Sequence, residues 1–177
     1  FNEETNVEPL FECIRAVFLN LPQYRYEHIF VDNCSNDHTV DRIKAIAARD
    51  KRVKLIVNTR NFGHIRSPMH GVIAARGDAV VLMASDLEDP PELIADFLRR
   101  WESGYKVVVG VKTRTQDAVI MRLVRRAYYK MISRIADIAL IQNYTGFGLY
   151  DRAFIDVVRE LDDPYPYFRG IISEVGF

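Results

Sequence analysis

The chain has 177 residues, 49% hydrophobic and 27% charged, the balance of one ordinary globular domain rather than a disordered chain, a collagen or a small disulfide scaffold. Lys plus Arg and Asp plus Glu each number 24, so the net charge is zero and a general nucleic-acid binder, which needs a basic excess, is excluded. Two cysteines outside any CxxC pair, Cys13 and Cys34, argue against a zinc site and fit a reducing compartment. No apolar run approaches the ~18 residues that suggest a membrane span.

In chain order, Val7, Leu10, Phe11, Ile14 and Phe18 recur at helical spacing over residues 7–19. Glu27-His28-Ile29-Phe30-Val31-Asp32 reads as a strand closed by a carboxylate, and the polar turn Asn33 to Asp37 leads to a helix over about 38–50. Val53 to Val57 is the next strand, Asn58 to His64 a loop, and about 66–76 a helix. Ala79-Val80-Val81-Leu82-Met83 is continuously apolar, as in a strand covered on both faces. The acidic loop Ser85 to Pro91 follows, then a helix over about 91–103 opened by Pro91, then a strand from Lys106 to Val111. This alternation predicts an α/β fold with a mostly parallel central sheet flanked by helices, its ligands bound beyond the carboxyl ends of the strands. From about 117 to 136 a helix sets Ile120, Leu123, Val124, Ala127, Met131 and Ile135 on one face and Arg122, Arg125, Arg126, Lys130 and Arg134 on the other. Residues 112–134 carry seven Lys or Arg and one acid, a basic segment that the zero net charge conceals.

The candidate site residues gather in the loops after the strands. No GxGxxG or GxxxxGK[ST] is present, so a nucleotide here must be held by carboxylates, a metal and side chains. Asp86, Glu88 and Asp89 offer hard oxygens to Mg²⁺ or Mn²⁺ beside a diphosphate, or else decorate a helix N-terminus, where the dipole favours acids. Asp32 can accept from a base or ribose, or serve with Asn36, Asp37 and Thr39 in capping the helix near 38. Arg60-Asn61-Phe62-Gly63-His64 can contact phosphate or base, or form a plain turn, and Arg169 can bind phosphate as a planar fork or lie on the surface. Trp101 reads as a packing residue.

Together these segments resemble the family 2 glycosyltransferases of the GT-A fold, over essentially the whole chain. The nearest branch is the polyprenyl-phosphate glycosyltransferases, which include dolichyl-phosphate mannose synthase and its bacterial relatives. Phe1-Asn2-Glu3-Glu4 resembles the end of that family's first-strand motif, with no strand or start methionine before it, and the chain is read as one catalytic domain, residues 1–177, cut from a longer protein. Ile29 to Thr39 resembles VDDGSxDGT, Arg60 to His64 the RNFG loop, and Met83 to Glu92 the motif MDADLQDPPE. The resemblance implies that Glu3 and Asp32, with Asn61 beside them, contact the nucleotide. It also implies that Asp86 binds metal and diphosphate, with Glu88 a further ligand and Asp89 and Arg169 in the catalytic set. Arg122, Arg125, Arg126 and Asp151 fall on the acceptor and membrane side, within the segments Thr145 to Arg152 and the basic helix. Three positions depart from the pattern: Ala84 replaces the first Asp of DxD, Asn33 the second Asp of VDD, and Gly146-Phe147-Gly148-Leu149 stands where many relatives read GDFRL, leaving Asp151 and Glu174 as base candidates. A lipid phosphate is already an anion near neutral pH and needs no strong base, so the missing Asp favours it over a hydroxyl acceptor.

The implied function is metal-dependent, inverting transfer of a sugar from a nucleotide-sugar, a UDP-sugar, to a polyprenyl phosphate at the cytoplasmic membrane face. Transmembrane helices would follow in the parent protein, and a homo-oligomer is compatible. The alternatives are transfer to a soluble or polysaccharide acceptor, though the processive signature QxxRW is absent, and a nucleotide-sugar-binding module without catalysis.

Overall fold

The computed structural model describes residues 1–112, 144–161 and 168–175, apart from the side chain of Arg169. The basic helix expected over 112–136 lies almost wholly outside them. In order come α1 (Val7–Leu19), β1 (His28–Asp32), α2 (Thr39–Arg49), β2 (Val53–Val57), α3 (Gly63–Ala74), β3 (Ala79–Leu82), α4 (Leu93–Glu102), β4 (Val107–Val111), β5 (Tyr144–Asp151), α5 (Arg152–Glu160) and α6 (Phe168–Glu174). The expected elements up to Val111 are present, with shifts of a few residues at their ends. The helix predicted from 91 starts at Leu93, after a tight turn in which Leu93 and Ile94 amides donate to the Pro90 and Pro91 carbonyls.

β1 and β2 pair in parallel from His28↔Val53 to Asp32↔Val57. β3 and β4 both pair antiparallel with β5, which lies between them. The expected mostly parallel sheet is present in part: the described strands form a parallel pair and a triplet in which β5 runs antiparallel to its neighbours. β3 and β4 still run the same way, because each opposes β5. α2, α3 and α4 return the chain after β1, β2 and β3, so the C-terminal ends of β1 to β4 and the start of β5 define one rim.

β5 was not expected as a strand, since glycines at 146 and 148 weaken strand propensity. It is nonetheless the most buried strand, and its side chains alternate between two cores. Phe147 and Leu149 join Val7, Phe11, Ile43, Ile46 and Phe97 under α1, α2 and α4. Tyr144 and Tyr150 join Val72, Phe154, Ile155 and Ile171 under α3, α5 and α6. Helices thus cover both faces of the strands, which explains why the strand sequences are continuously apolar. Gly148 has a packing role: a Cβ there would lie 2.7 Å from the Val108 carbonyl oxygen. The Arg152 and Arg159 guanidinia donate to carbonyls at the C-terminal end of α3, including Ala75 and Ile73, where cations complement the helix dipole.

Candidate active site

Two clusters occupy the rim. The first forms at the ends of β1 and β2. Asp32, 3% exposed, ends β1, and its carboxylate accepts from the Ser35 amide at 3.0 Å and the Ser35 hydroxyl at 2.5 Å. The N-terminal segment closes onto this turn. Asn2 N donates to Ser35 Oγ (2.9 Å), Asn36 N to Asn2 Oδ1 (2.9 Å), Glu3 N to Thr39 Oγ1 (2.9 Å) and His38 N to Glu4 Oε2 (2.9 Å). The Glu3 carboxylate accepts from Asn6 Nδ2 at 2.6 Å. Glu3 and Asp32 are therefore brought to neighbouring segments of one rim. Asp37 takes the helix-start role weighed for it: its Oδ1 accepts from the Thr39 amide and hydroxyl at 3.0 and 2.6 Å. Desolvation, the largest single influence, raises its pKa, but those bonds and the Glu4 amide together outweigh it and hold the carboxyl below its ordinary range.

Asn33, next after Asp32, reaches across to the second loop. Its Nδ2 donates to Asn61 Oδ1 at 2.9 Å and to the Gly63 carbonyl at 3.3 Å. Its Oδ1 accepts from the Phe62 amide at 2.9 Å and from Asn58 Nδ2 at 3.2 Å. Asn61 is thereby tied to the end of β1, beside Asp32. Sequence reading saw Asn33 only as a departure from an aspartate. The signal that could have found it is the neighbouring run of amide side chains, Asn33, Asn58 and Asn61.

The second cluster is the acidic loop after β3, facing the end of β4. Asp86 Oδ1 accepts from the Glu88 amide at 3.1 Å, and Asp86 is exposed. Glu88 Oε2 accepts from Lys112 Nζ at 3.0 Å. That bond and the charge of Glu88, with smaller contributions from Asp89 and Asp86, raise the Lys112 pKa. Between this loop and β4 lies a cavity of about 190 Å³ lined by Glu88, Asp89, Leu93, Val111, Lys112 and Phe147, among others. The loops after β1 and β3 each contain a non-glycine residue in the left-handed conformation, Cys34 at φ 67° and Leu87 at φ 59°. Such residues cost of order 1–3 kcal/mol and collect at functional sites.

Among the described residues no three His, Cys, Asp or Glu side chains converge to hold a metal ion. The expected pair is divided: Glu88 is engaged by Lys112, and Asp86 keeps a second oxygen without a described protein partner. Ala84 contributes no ligand atom. This donor set fits Mg²⁺ or Mn²⁺ only as such ions commonly bind, through one or two carboxylates plus substrate phosphates, not as a cage of protein atoms.

Asp151 lies elsewhere. It pairs in register with Ala79, at the start of β3, and its amide donates to the Lys106 carbonyl before β4, so it stands at the sheet edge opposite the rim. Its side chain, 7% exposed, accepts from Trp101 Nε1 (2.7 Å), Lys106 Nζ (3.1 Å) and the Ala153 amide (2.9 Å), where it caps α5. Burial raises its pKa, but the Trp101, Ala153 and Lys106 bonds outweigh that and hold it below the usual carboxylate range. The Asp151 carboxylate, expected on the acceptor side, is engaged by these three groups of the fold. Trp101 is a packing residue with this one polar contact. Arg169 falls in α6 with its side chain outside the described residues, as are Arg122, Arg125 and Arg126. No helix among the described residues is long and apolar enough to cross a membrane.

The glycosyl transferase family 2 model matches residues 1–158. The chain is 33% identical over 178 residues to an uncharacterized glycosyltransferase, YkcC, of Bacillus subtilis, covering 100% of this chain and 55% of that protein. It is 30% identical over 177 residues to the bactoprenol glucosyl transferase of Shigella phage SfV, covering 99% and 57%. It is 29% identical to a prophage bactoprenol glucosyl transferase homolog of Escherichia coli, covering 99% and 58%. The chain thus spans little more than half the length of these relatives. The matched region runs through both rim clusters and the first turns of α5, so the carboxylates after β1 and β3 sit within the matched part of the fold, and the chain belongs to glycosyl transferase family 2.

Proposed function

We infer that the parent protein transfers a sugar from a nucleotide-sugar, a UDP-sugar, to a polyprenyl phosphate at the cytoplasmic face of the membrane. The observation that carries the reading is the pairing of two clusters on one rim, an amide and carboxylate cluster after β1 and β2 and an acidic loop after β3. The relatives named for bactoprenol glucosyl transfer support the acceptor. Glu3, Asp32 and Asn61 take the nucleoside end of the donor, and the acidic loop takes the diphosphate. The cavity beside it is below the roughly 300–1,000 Å³ of whole ligand sites and suits one portion of the donor.

Asp86 would hold a Mg²⁺ or Mn²⁺ ion, which when bound stabilises the leaving diphosphate. The chain's own contributions are to orient the donor and to hold charge in place. Lys112 pairs with Glu88 at the cavity wall and adds a cation near the diphosphate. Asp89 and Arg169 belong to the same proposal, Asp89 at the cavity wall and Arg169 toward phosphate. Attack on the anomeric carbon displaces the diphosphate, and a phosphate acceptor, already anionic, requires no proton to be removed. Arg122, Arg125 and Arg126 set the domain against an anionic membrane surface.

Calorimetry of UDP with and without Mn²⁺ tests the donor site. UDP affinity is expected to rise with Mn²⁺ in the wild type and to lose that gain in Asp86→Asn, which removes a charge and keeps the shape. Equal Mn²⁺-dependent affinity in both would show that Asp86 does not carry the metal.

A further inference from the structure

The Asn33 amide bonds to Asn58 at the end of β2 and to Asn61, Phe62 and Gly63 of the following loop, and its orientation is fixed by backbone groups. The Phe62 N–H can only donate, so the atom it meets at 2.9 Å is the Asn33 oxygen. The Gly63 carbonyl can only accept, so the atom at 3.3 Å is the Asn33 nitrogen. The Gly63 N–H donates at 2.8 Å to Asn61, so the inner atom of that amide is its oxygen, which also accepts from Asn33 Nδ2. The remaining atom, Asn61 Nδ2, has no described protein partner, and Asn61 is exposed on the loop after β2. Asn33 itself is 9% exposed, and Asn58 behind it is anchored to Ser67 Oγ at 2.9 Å.

We propose that Asn33 is a positioning residue that locks the Asn61 amide with its N–H₂ outward, as a donor to an acceptor atom of the bound nucleotide. The proposal rests on the reading of Asn61 as a nucleotide contact. An aspartate at 33, as in the resembling motif, has no donor. Its second oxygen would face the Asn61 oxygen and the Gly63 carbonyl, both acceptors. Turning the Asn61 amide over relieves that repulsion at the loss of the Gly63 N–H bond to Asn61, and presents an oxygen to the nucleotide in place of a donor. Asn33 and Asn61 therefore form one unit, and the identity at 33 sets the polarity of the group shown at 61.

The test is UDP binding in Mn²⁺ to the full-length protein, with melting temperature recorded in parallel and GDP run beside UDP. A hydrogen bond to a neutral acceptor of the nucleoside, lost, corresponds to roughly a two- to ten-fold weakening. Asn61→Ala and Asn33→Asp are each expected to weaken UDP several-fold, and Asn33→Asp is expected to cost less than about two-fold further on an Asn61→Ala background, because coupled residues are not additive. Asn61→Asp keeps the inner oxygen and replaces the outward donor by an acceptor. It is expected to weaken UDP at least ten-fold at an unchanged melting temperature, and it serves where Asn33→Asp does not fold. Multiplicative effects of the two positions, or wild-type affinity in Asn33→Asp, would overturn the proposal. Wild-type affinity in Asn61→Asp would do the same while leaving the donor site intact. A wild-type protein that binds neither UDP nor GDP overturns the site reading, and this proposal with it.

Discussion

Replacing Asp151 by alanine separates a structural carboxylate from a catalytic one. The substitution removes the α5 cap on the Ala153 amide, an interaction of about 1 kcal/mol. It also leaves the half-buried Trp101 indole N–H without its 2.7 Å acceptor, a loss of roughly 1.5–3 kcal/mol for a bond to a charged group. The Lys106 ion pair, half-exposed on the lysine side, adds at most about 1 kcal/mol. The sum is about 2.5–5 kcal/mol, a shift in melting temperature of roughly 5–20 °C for a domain of this size. Urea denaturation is expected to give a lower midpoint at unchanged slope, and UDP affinity below the transition is expected to match wild type, because Asp151 stands at the far edge of the sheet. A loss below about 0.5 kcal/mol, or a selective loss of UDP binding at unchanged stability, would refute this assignment.

His28 is stacked between Phe11 and Phe30, with Nδ1 sealed and without a hydrogen-bond partner among the described residues. Burial lowers its pKa from 6.5 to about 4, with the Asp50 charge opposing weakly. The unfolded chain therefore binds its proton first, so stability falls as pH drops from about 6.5 toward about 4, by about 2–3 kcal/mol in all. His28→Phe is expected to remove that part of the acid loss, and an unchanged pH dependence in the variant would contradict it. Gly148→Ala sets a Cβ 2.7 Å from the Val108 carbonyl and is expected to cost roughly 1–3 kcal/mol in thermal unfolding, with an unperturbed melting curve as the contrary result. Replacing Arg122, Arg125 and Arg126 by Gln is expected to abolish binding to anionic vesicles at low salt while UDP affinity holds, since each basic residue adds about 1 kcal/mol near such a surface. Co-sedimentation decides it, and wild-type protein that ignores anionic vesicles would leave the basic face merely solvated.

The elements up to Val111 were legible because each rests on local periodicity: the i, i+3, i+4 spacing of Val7, Leu10, Phe11 and Ile14, and the apolar runs of β1 to β4. β5 was not, because its place is set by long-range contacts. Gly148 sits in a strand where β4 approaches too closely for a side chain, and no local pattern reveals that. The motif positions after β1 and β3 were legible as sites, but their internal partners were not. Asp151, adjacent to a motif in sequence, is carried to the opposite edge by the antiparallel direction of β5. Asn33 looked like a lost carboxylate, and only its four bonds across two loops show what an amide does there.

Sugar transfer by the full-length protein in membranes tests the account most directly. Radiolabelled UDP-glucose is supplied with Mn²⁺ and a polyprenyl phosphate, a parallel reaction contains a soluble saccharide acceptor, and other UDP-hexoses replace UDP-glucose in further reactions. The account predicts label in a lipid-phosphate product with at least one UDP-sugar, lost in Asp86→Asn and absent with the soluble acceptor. Label appearing only in the saccharide, or no transfer from any nucleotide-sugar by protein that binds UDP, would contradict it.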